Sequence, residues 1–375
     1  MVKKAPSKKP ARKPKDPTPA KTDAGTSVPP APQLSAAEQQ RLLDIFSAAF
    51  DGVLNSADFS DTLQGIKQAL FNRDFATAFG REEYLEAYAA RWSPTRALAY
   101  ATVLLGIEHH IRQSLLVGDV QNDAGNDLEG VEQAAPTGEE PSPNAGPSFS
   151  ANGNLKMLSI GGCAAEHLAF ASFLCSTSTT GHLTLLDSAP WSQVTSLLQT
   201  HITTPPSLSK YASAAAKANN AALLNVSDVS VEFMQQDALS LDSDKLETLT
   251  KGTPLLITLL FTLNELYTSG GLGKTTKFLK ALGGALPHGS LLLVVDSPGS
   301  YSETAIGQEK KRYPMQWLLS HTLLETASDG YTWDKLESHD SVWFRVPEGL
   351  SYPIPLENMR YQMHLYRISK DSSSK

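Results

Sequence analysis

Apolar positions follow two different periods along this chain, and the change of period divides it. Between residues 34 and 117 they recur every three or four positions. Leu42, Leu43, Ile45, Phe46 and Phe50 form one set; Leu63, Ile66, Leu70 and Phe71 a second; Ala97, Tyr100, Ala101, Leu104, Leu105 and Ile107 a third. That spacing aligns side chains on one helix face. Ser35 and Glu38 have capping-box spacing, and Ser60 is placed to cap the second helix. Ser93-Pro94, after a helical stretch 84–92, predicts a fresh start, because Pro suits a first turn.

From residue 153 to 370 the apolar residues come instead in runs of strand length. These are 155–160, 182–187, 254–261 and 291–296, with an alternating run at 229–238 and two late ones at 342–346 and 360–366. Helix-spaced segments separate most of them. Strands alternating with helices predict an α/β domain: a mostly parallel sheet with helices on both faces. No strong helix pattern separates the last two runs, which predicts an antiparallel pair at the sheet edge. Residues 202–226, rich in Ala, Ser and Asn, give no clear pattern.

Composition adds the boundaries. Residues 1–33 carry Lys, Pro, Ala and Ser and almost no large apolar side chain, so they are expected to be a disordered basic tail. Two functions fit it, a nuclear or nucleolar address and a phosphate-binding arm; a plain solvated tail fits as well. Residues 118–152, with Asp, Asn, Glu, Gly, Pro and Ser in quantity, read as a flexible acidic linker, and 371–375 as a second disordered tail. The expected organisation is therefore a helical domain at 34–117 and an α/β domain at 153–370. No apolar run approaches the roughly 20 residues of a membrane span. The start of the chain lacks a secretory pattern, and two cysteines suit a reducing compartment rather than a disulfide framework. The net charge of −7 speaks against nucleic acid only in total, since the first 21 residues are strongly basic.

Candidate chemistry lies where strands end, because open α/β sheets bind ligands there. After 155–160 come Gly161, Gly162 and Cys163, a turn whose glycines let a backbone approach a ligand and whose following helix offers free N–H groups. Asp187 ends the second strand and is placed to accept from a ribose diol. Asp237-Ala238 ends the third, where the acid is placed to accept from an adenine amine. Thr262, Asn264 and Glu265 follow the fourth strand, and Asp296 to Ser300 the fifth. A dinucleotide fingerprint is absent, since Cys163 and Glu166 stand where later glycines belong. Gly270–Thr275 imitates a phosphate loop without its first glycine, and reads as a glycine-rich loop capping a helix at 276–282. His109-His110 are expected on divergent helix faces, with no HExxH or paired-Cys spacing, so no metal site is expected. Cys163, inside the turn, reads as a small buried spacer. Arg91, Trp92 and Arg96 cluster at a joint; they suit an RNA backbone and a stacked base, or a packed Trp with arginines pairing nearby carboxylates.

The segments LSIGGCAAE, LLFTLNELY, LLVVDSPGSYSE and YAARWSPTRALAY resemble those of class I S-adenosylmethionine-dependent methyltransferases, and more narrowly the fungal large-subunit ribosomal RNA uridine-N3 methyltransferases. The resemblance covers most of 35–370. It departs from the general acid-x-G-x-G-x-G turn, where Ser159, Cys163 and Ala165 replace the acid and two glycines. It implies a Rossmann-like methyltransferase sheet with an N-terminal helical domain. It implies S-adenosylmethionine as cofactor, held by Gly161, Gly162, Cys163, Asp187, Asp237, Ala238 and Thr262. Its partner would be ribosomal RNA or a pre-ribosome, met in the nucleus, nucleolus and cytoplasm. Uridine N3–H is an imide that must lose its proton. Glu265, Asp296 or hydroxide would accept it, with Asn264 facing the base. The alternatives are a class I methyltransferase for proteins or small molecules, and an inactive RNA-binding relative.

Overall fold

A computed structural model describes residues 33–116, 153–299, 301–306, 309–326, 328 and 330–370. Apart from Gln33, the expected basic tail lies outside the described residues, as do the acidic linker 118–152 and the segment 371–375.

The chain opens with α1 (Ala36–Ala49), whose capping box forms as expected: Ser35 Oγ accepts from the Glu38 N–H, and Glu38 accepts from the Ser35 N–H at 2.7 Å. Next come α2 (Asp51–Leu54), α3 (Phe59–Phe71) and α4 (Phe75–Phe79). Asp58, not Ser60, precedes α3; Ser60 already lies in its first turn. Then α5 (Glu82–Gly106) runs unbroken through Pro94, contrary to the expected restart at Ser93. A proline inside a helix leaves the carbonyl four residues earlier without its donor. That carbonyl belongs to Ala90, and the Tyr352 hydroxyl donates to it at 2.7 Å. The loop that carries Tyr352 thus supplies the missing bond, and the helix need not break. Tyr352→Phe is expected to lower stability by about 1–2 kcal/mol in urea unfolding, since a buried carbonyl loses its partner. An unchanged midpoint would mean that Ala90 is satisfied in another way.

After α6 (Glu108–Ile111) and a π-turn at Arg112–Leu116, the α/β part begins. Its elements are β1 (Asn154–Ile160), α7 (Ala164–Thr177), β2 (Thr180–Asp187), α8 (Ser192–Thr203), α9 (Ala214–Ala218), β3 (Val229–Gln235), α10 (Ser243–Thr250), β4 (Leu256–Leu260), α11 (Leu263–Ser269), α12 (Gly271–Ala285) and β5 (Leu291–Asp296). Then come the hairpin β6 (Tyr301–Ile306) and β7 (Glu309–Pro314), α13 (Met315–Ser320), β8 (Tyr331–Phe344) and β9 (Met359–Lys370). The glycines at 270–273 belong to the start of α12 rather than to a loop: only Gly271 has a positive φ, and the helix extends to Ala285. The late pair, β8 and β9, is longer than the apolar runs suggested, because exposed polar residues of β8 complete its ladder.

The main sheet has the order β3-β2-β1-β4-β5-β9-β8. Its first five strands are parallel, and β9 is antiparallel to both β5 and β8. Strand order reverses between β1 and β4, the switch point at which such sheets open a crevice. Period-2 burial divides β5 between two cores. Leu291, Leu293 and Val295 face the helices α5, α7 and α8, while Leu292 and Val294 face the side of α12. The helical segment does not keep a core to itself. Phe46, Leu85, Leu98 and Tyr100 pack in the same cluster as Leu168, Phe173 and Leu185. Each such side chain contributes roughly 1.5–3 kcal/mol by leaving water. Burial on this scale fixes α5 across α7, above the ends of the strands.

Candidate active site

The carboxyl ends of β1, β2, β3, β4 and β5 open into a cavity of ≈1560 Å³, roofed by α4 and α5. Pockets for one small ligand run to about 1,000 Å³, so two ligands can share this one.

Its floor is the turn after β1. Gly161 has φ +73°, the left-handed region where glycine alone is unstrained. A Cβ there would also overlap the Thr262 side chain. The two strands are tied at that point, because the Thr262 hydroxyl donates to the Gly161 carbonyl at 2.8 Å. At Gly162 the space of a Cβ is taken by the Glu166 carboxyl. Cys163 and Ala165 are buried and neither needs a positive φ, so their departure from glycine does not close the turn. Burial pushes the Cys163 thiol well above its ordinary value, which suits a spacer and not a nucleophile.

Four buried or half-buried carboxyls line the cavity. Asp187, at the end of β2, is pushed up to about 6 by burial, and its Oδ1 accepts from the Ala189 N–H at 2.8 Å. Asp296, at the end of β5, is also raised to about 6 by burial. Its two oxygens accept from the backbone N–H groups of Asn264, at 3.0 Å, and Ser297, at 2.7 Å. Asp296 therefore clamps the start of α11 to β5. Glu265, in the first turn of α11, is raised to about 7 by burial and by the nearby charges of Asp187 and Asp296. Its carboxyl has no hydrogen-bond partner among the described residues, and neither does the Asn264 carboxamide. Glu166, raised to about 7 by burial, completes the set.

Asp237 is different. It is exposed on the rim, where its Oδ1 accepts from the Leu239 N–H at 2.9 Å and so caps a short 3-10 turn; Ala238 behind it is buried.

Sequence reasoning named Arg96 only as one of a cluster and missed the aromatic wall it belongs to. The guanidinium of Arg96 on α5 lies 5.1 Å above the Phe261 ring and 5.4 Å from that of Tyr88, whose hydroxyl it bonds. No carboxylate pairs with it directly among the described residues. Phe261 sits at the end of β4 with φ +60°, an outlier for an aromatic residue and a mark of a constrained site. Trp191 and Phe79 extend the wall, 6.0 Å and 5.1 Å from Tyr88. Of the joint residues, Arg91 pairs with Glu357 outside the cavity and lies over Trp92, the packed alternative. Only Arg96 faces the ligand space. One signal for Glu166 was present: an acid within the apolar run AAEHLAFASF needs a reason to be buried.

A family model, Methyltransf_34, described as SAM-dependent methyltransferase, matches residues 46–367. Among curated proteins the chain is similar to the 25S rRNA (uridine(2843)-N(3))-methyltransferase of Saccharomyces cerevisiae, with 30% identity over 339 residues, 87% of this chain and 85% of that protein. Among solved structures it is similar to a SAM-dependent methyltransferase from Methanosarcina mazei, with 12% identity over 58% of this chain and 93% of that chain, at a TM-score of 0.32. It is also similar to the N-methyltransferase NodS of Bradyrhizobium japonicum WM9 in complex with S-adenosyl-L-homocysteine, with 13% identity, 57% and 77% coverage and a TM-score of 0.28.

Proposed function

Since the chain belongs to the SAM-dependent methyltransferase family, we propose that it methylates N3 of a uridine in large-subunit ribosomal RNA. The observation that carries the reading beyond the family is the Glu265 carboxyl. It is unbonded, raised to about 7 and set beside an unbonded carboxamide, across a cavity large enough for two ligands.

The residues present fit the cofactor. A ligand with a sulfonium, an ammonium and a ribose diol suits a cavity lined by several carboxyls, and the turn after β1, with Gly161 at a positive φ, brings bare backbone to its floor. Gly161, Gly162 and Cys163 would line its approach, Asp187 would take the diol, and the Asp237-Ala238 rim would border the base. When bound, S-adenosylmethionine supplies an electrophilic methyl group. Asp187→Ala is expected to weaken its binding by about 1–3 kcal/mol, because an acceptor for a buried donor is lost. Asp237→Ala is expected to cost less, since its carboxylate is solvated. Isothermal titration measures both, and equal affinity in all three proteins would sink the assignment.

The chain's own chemistry is positioning and proton transfer. Glu265 takes the N3 proton onto a carboxylate oxygen. Asp296 holds the backbone of Asn264 so that its carboxamide can meet a uracil edge, which offers both a donor and acceptors. Arg96 offers fixed positive charge to the oxygens that share the anion once N3 is deprotonated. The target must be unpaired or flipped out for N3 to be reached, and the aromatic wall of Tyr88, Phe261 and Trp191 gives an extruded base a surface to lie against.

Among the described residues no helix is long and apolar enough to cross a membrane. A pre-ribosomal substrate agrees with the basic segment at the chain's start, which supports a nuclear or nucleolar site besides the cytoplasm. The deciding experiment is mass spectrometry of ribosomal RNA nucleosides from a strain lacking the gene, with add-back of purified protein and cofactor. Loss and recovery of 3-methyluridine is expected. An unchanged nucleoside profile would favour a protein or small-molecule substrate.

A further inference from the structure

Far along the sheet from the cavity wall, two elements, α6 and β8, bring imidazoles to one carboxylate. His109 and His110 stand in α6, and their rings lie side by side with centroids 3.8 Å apart. They do not diverge as neighbours on a regular helix would. The reason is local: α5 ends at Gly106, α6 has only four residues, and a π-turn follows directly. π-turns re-aim side chains and recur at functional sites. Glu337 faces this pair from β8. Its Oε1 lies 3.1 Å from His110 Nε2, and its Oε2 3.2 Å from Nε2 of His339, two residues on and therefore on the same strand face. Two register shifts in the β8–β9 ladder, between Lys335 and Glu337 and between His339 and Val342, bracket both residues. Bulges of this kind turn side chains toward a site.

We propose that His109, His110 and Glu337, with His339 as a fourth donor, bind one zinc-class divalent cation. One donor atom from each of the first three lies within 4.8 Å of the others. Donors on a tetrahedral zinc ion sit roughly 2.0–2.2 Å from it, hence roughly 3.4 Å apart, so side-chain rotation of about an ångström closes the set. Imidazole donors with one carboxylate select zinc, nickel, cobalt or copper over magnesium or calcium. Glu337 and His110 are each about a fifth exposed, and His339 about half, which leaves an entry path. A bound ion would pin the end of the helical segment to the outer strand of the sheet.

The test uses the full chain, stripped with EDTA and titrated with zinc chloride, with cobalt absorption as a second readout. One equivalent should bind, raise the thermal midpoint and give tetrahedral cobalt bands; magnesium should do neither. Glu337→Gln and His110→Ala should each weaken zinc binding at least roughly tenfold. They should leave cofactor binding unchanged, which also shows that they fold. Cys175→Ser, which removes the exposed thiol, should bind as the wild type does. Absence of a saturable equivalent, or binding that survives both ligand substitutions, would overturn the site.

Discussion

Glu265→Gln is expected to slow single-turnover methyl transfer to ribosomal RNA by about 10²–10⁴-fold, the usual contribution of a positioned general base. Cofactor affinity should remain close to that of the wild type, since the glutamine keeps the shape of the side chain. A lower rate at unchanged affinity means lost stabilisation of the transition state rather than a lost fold. The pH profile gives a sharper readout. A base works only when ionised, and burial with the neighbouring acids Asp187 and Asp296 holds Glu265 at about 7. The wild-type rate should therefore rise as pH passes 7, and the variant should lose that limb. Linkage gives the matching sign for stability. The folded-state pKa lies above the ordinary 4.5, so the folded protein holds the proton more tightly than the unfolded chain. The stability this contributes is complete below about pH 4.5 and is lost as pH rises through 7. Glu265→Gln should flatten that part of the curve of thermal midpoint against pH. A wild-type rate in the variant would place the base elsewhere, with hydroxide the remaining acceptor.

Arg96→Gln is expected to lower the same rate by about 10²–10³-fold, the cost of removing one preorganised group that stabilises developing negative charge. The guanidinium lies over Phe261 and is bonded to Tyr88, so its position is set before any substrate arrives. Arg96→Lys should recover only part of the loss, because an ammonium lacks the planar fork that stacks on a ring. If the loss in Arg96→Gln appears instead as weaker cofactor binding with normal single turnovers, the arginine serves the cofactor's carboxylate and not the base. If neither changes, the wall opposite the acids has no part in the reaction.

Much of this site was legible in the sequence because it lies on regular strands. Apolar runs ending in Gly161, Asp187, Asp237, Thr262 and Asp296 fix which residues emerge at the carboxyl edge, whatever the helices do. Arg96 was legible only as a member of a cluster. Which of Arg91 and Arg96 turns inward depends on where α5 crosses the sheet, and that crossing is set by packing against α7. The continuity of α5 was illegible for a similar reason: the donor that rescues Ala90 comes from Tyr352, far along the chain. Asp296 shows a third limit. Its place at a strand end is visible in sequence, but its use as a clamp for α11 is not, because the bond partners are backbone groups.

The place of β9 has a consequence for biosynthesis. It is the most C-terminal described strand, yet it lies inside the sheet, between β5 and β8. Until residues 359–370 have left the ribosome, β5 presents an unpaired apolar edge and β8 has no neighbour to join. The nascent chain must therefore wait with an adhesive margin open, a state that invites aggregation and chaperone capture. A stop codon ahead of residue 359 removes only one strand by count, but it leaves one edge of β5 open and β8 with no partner. Such a truncation should be recovered as insoluble protein rather than as a weakened enzyme.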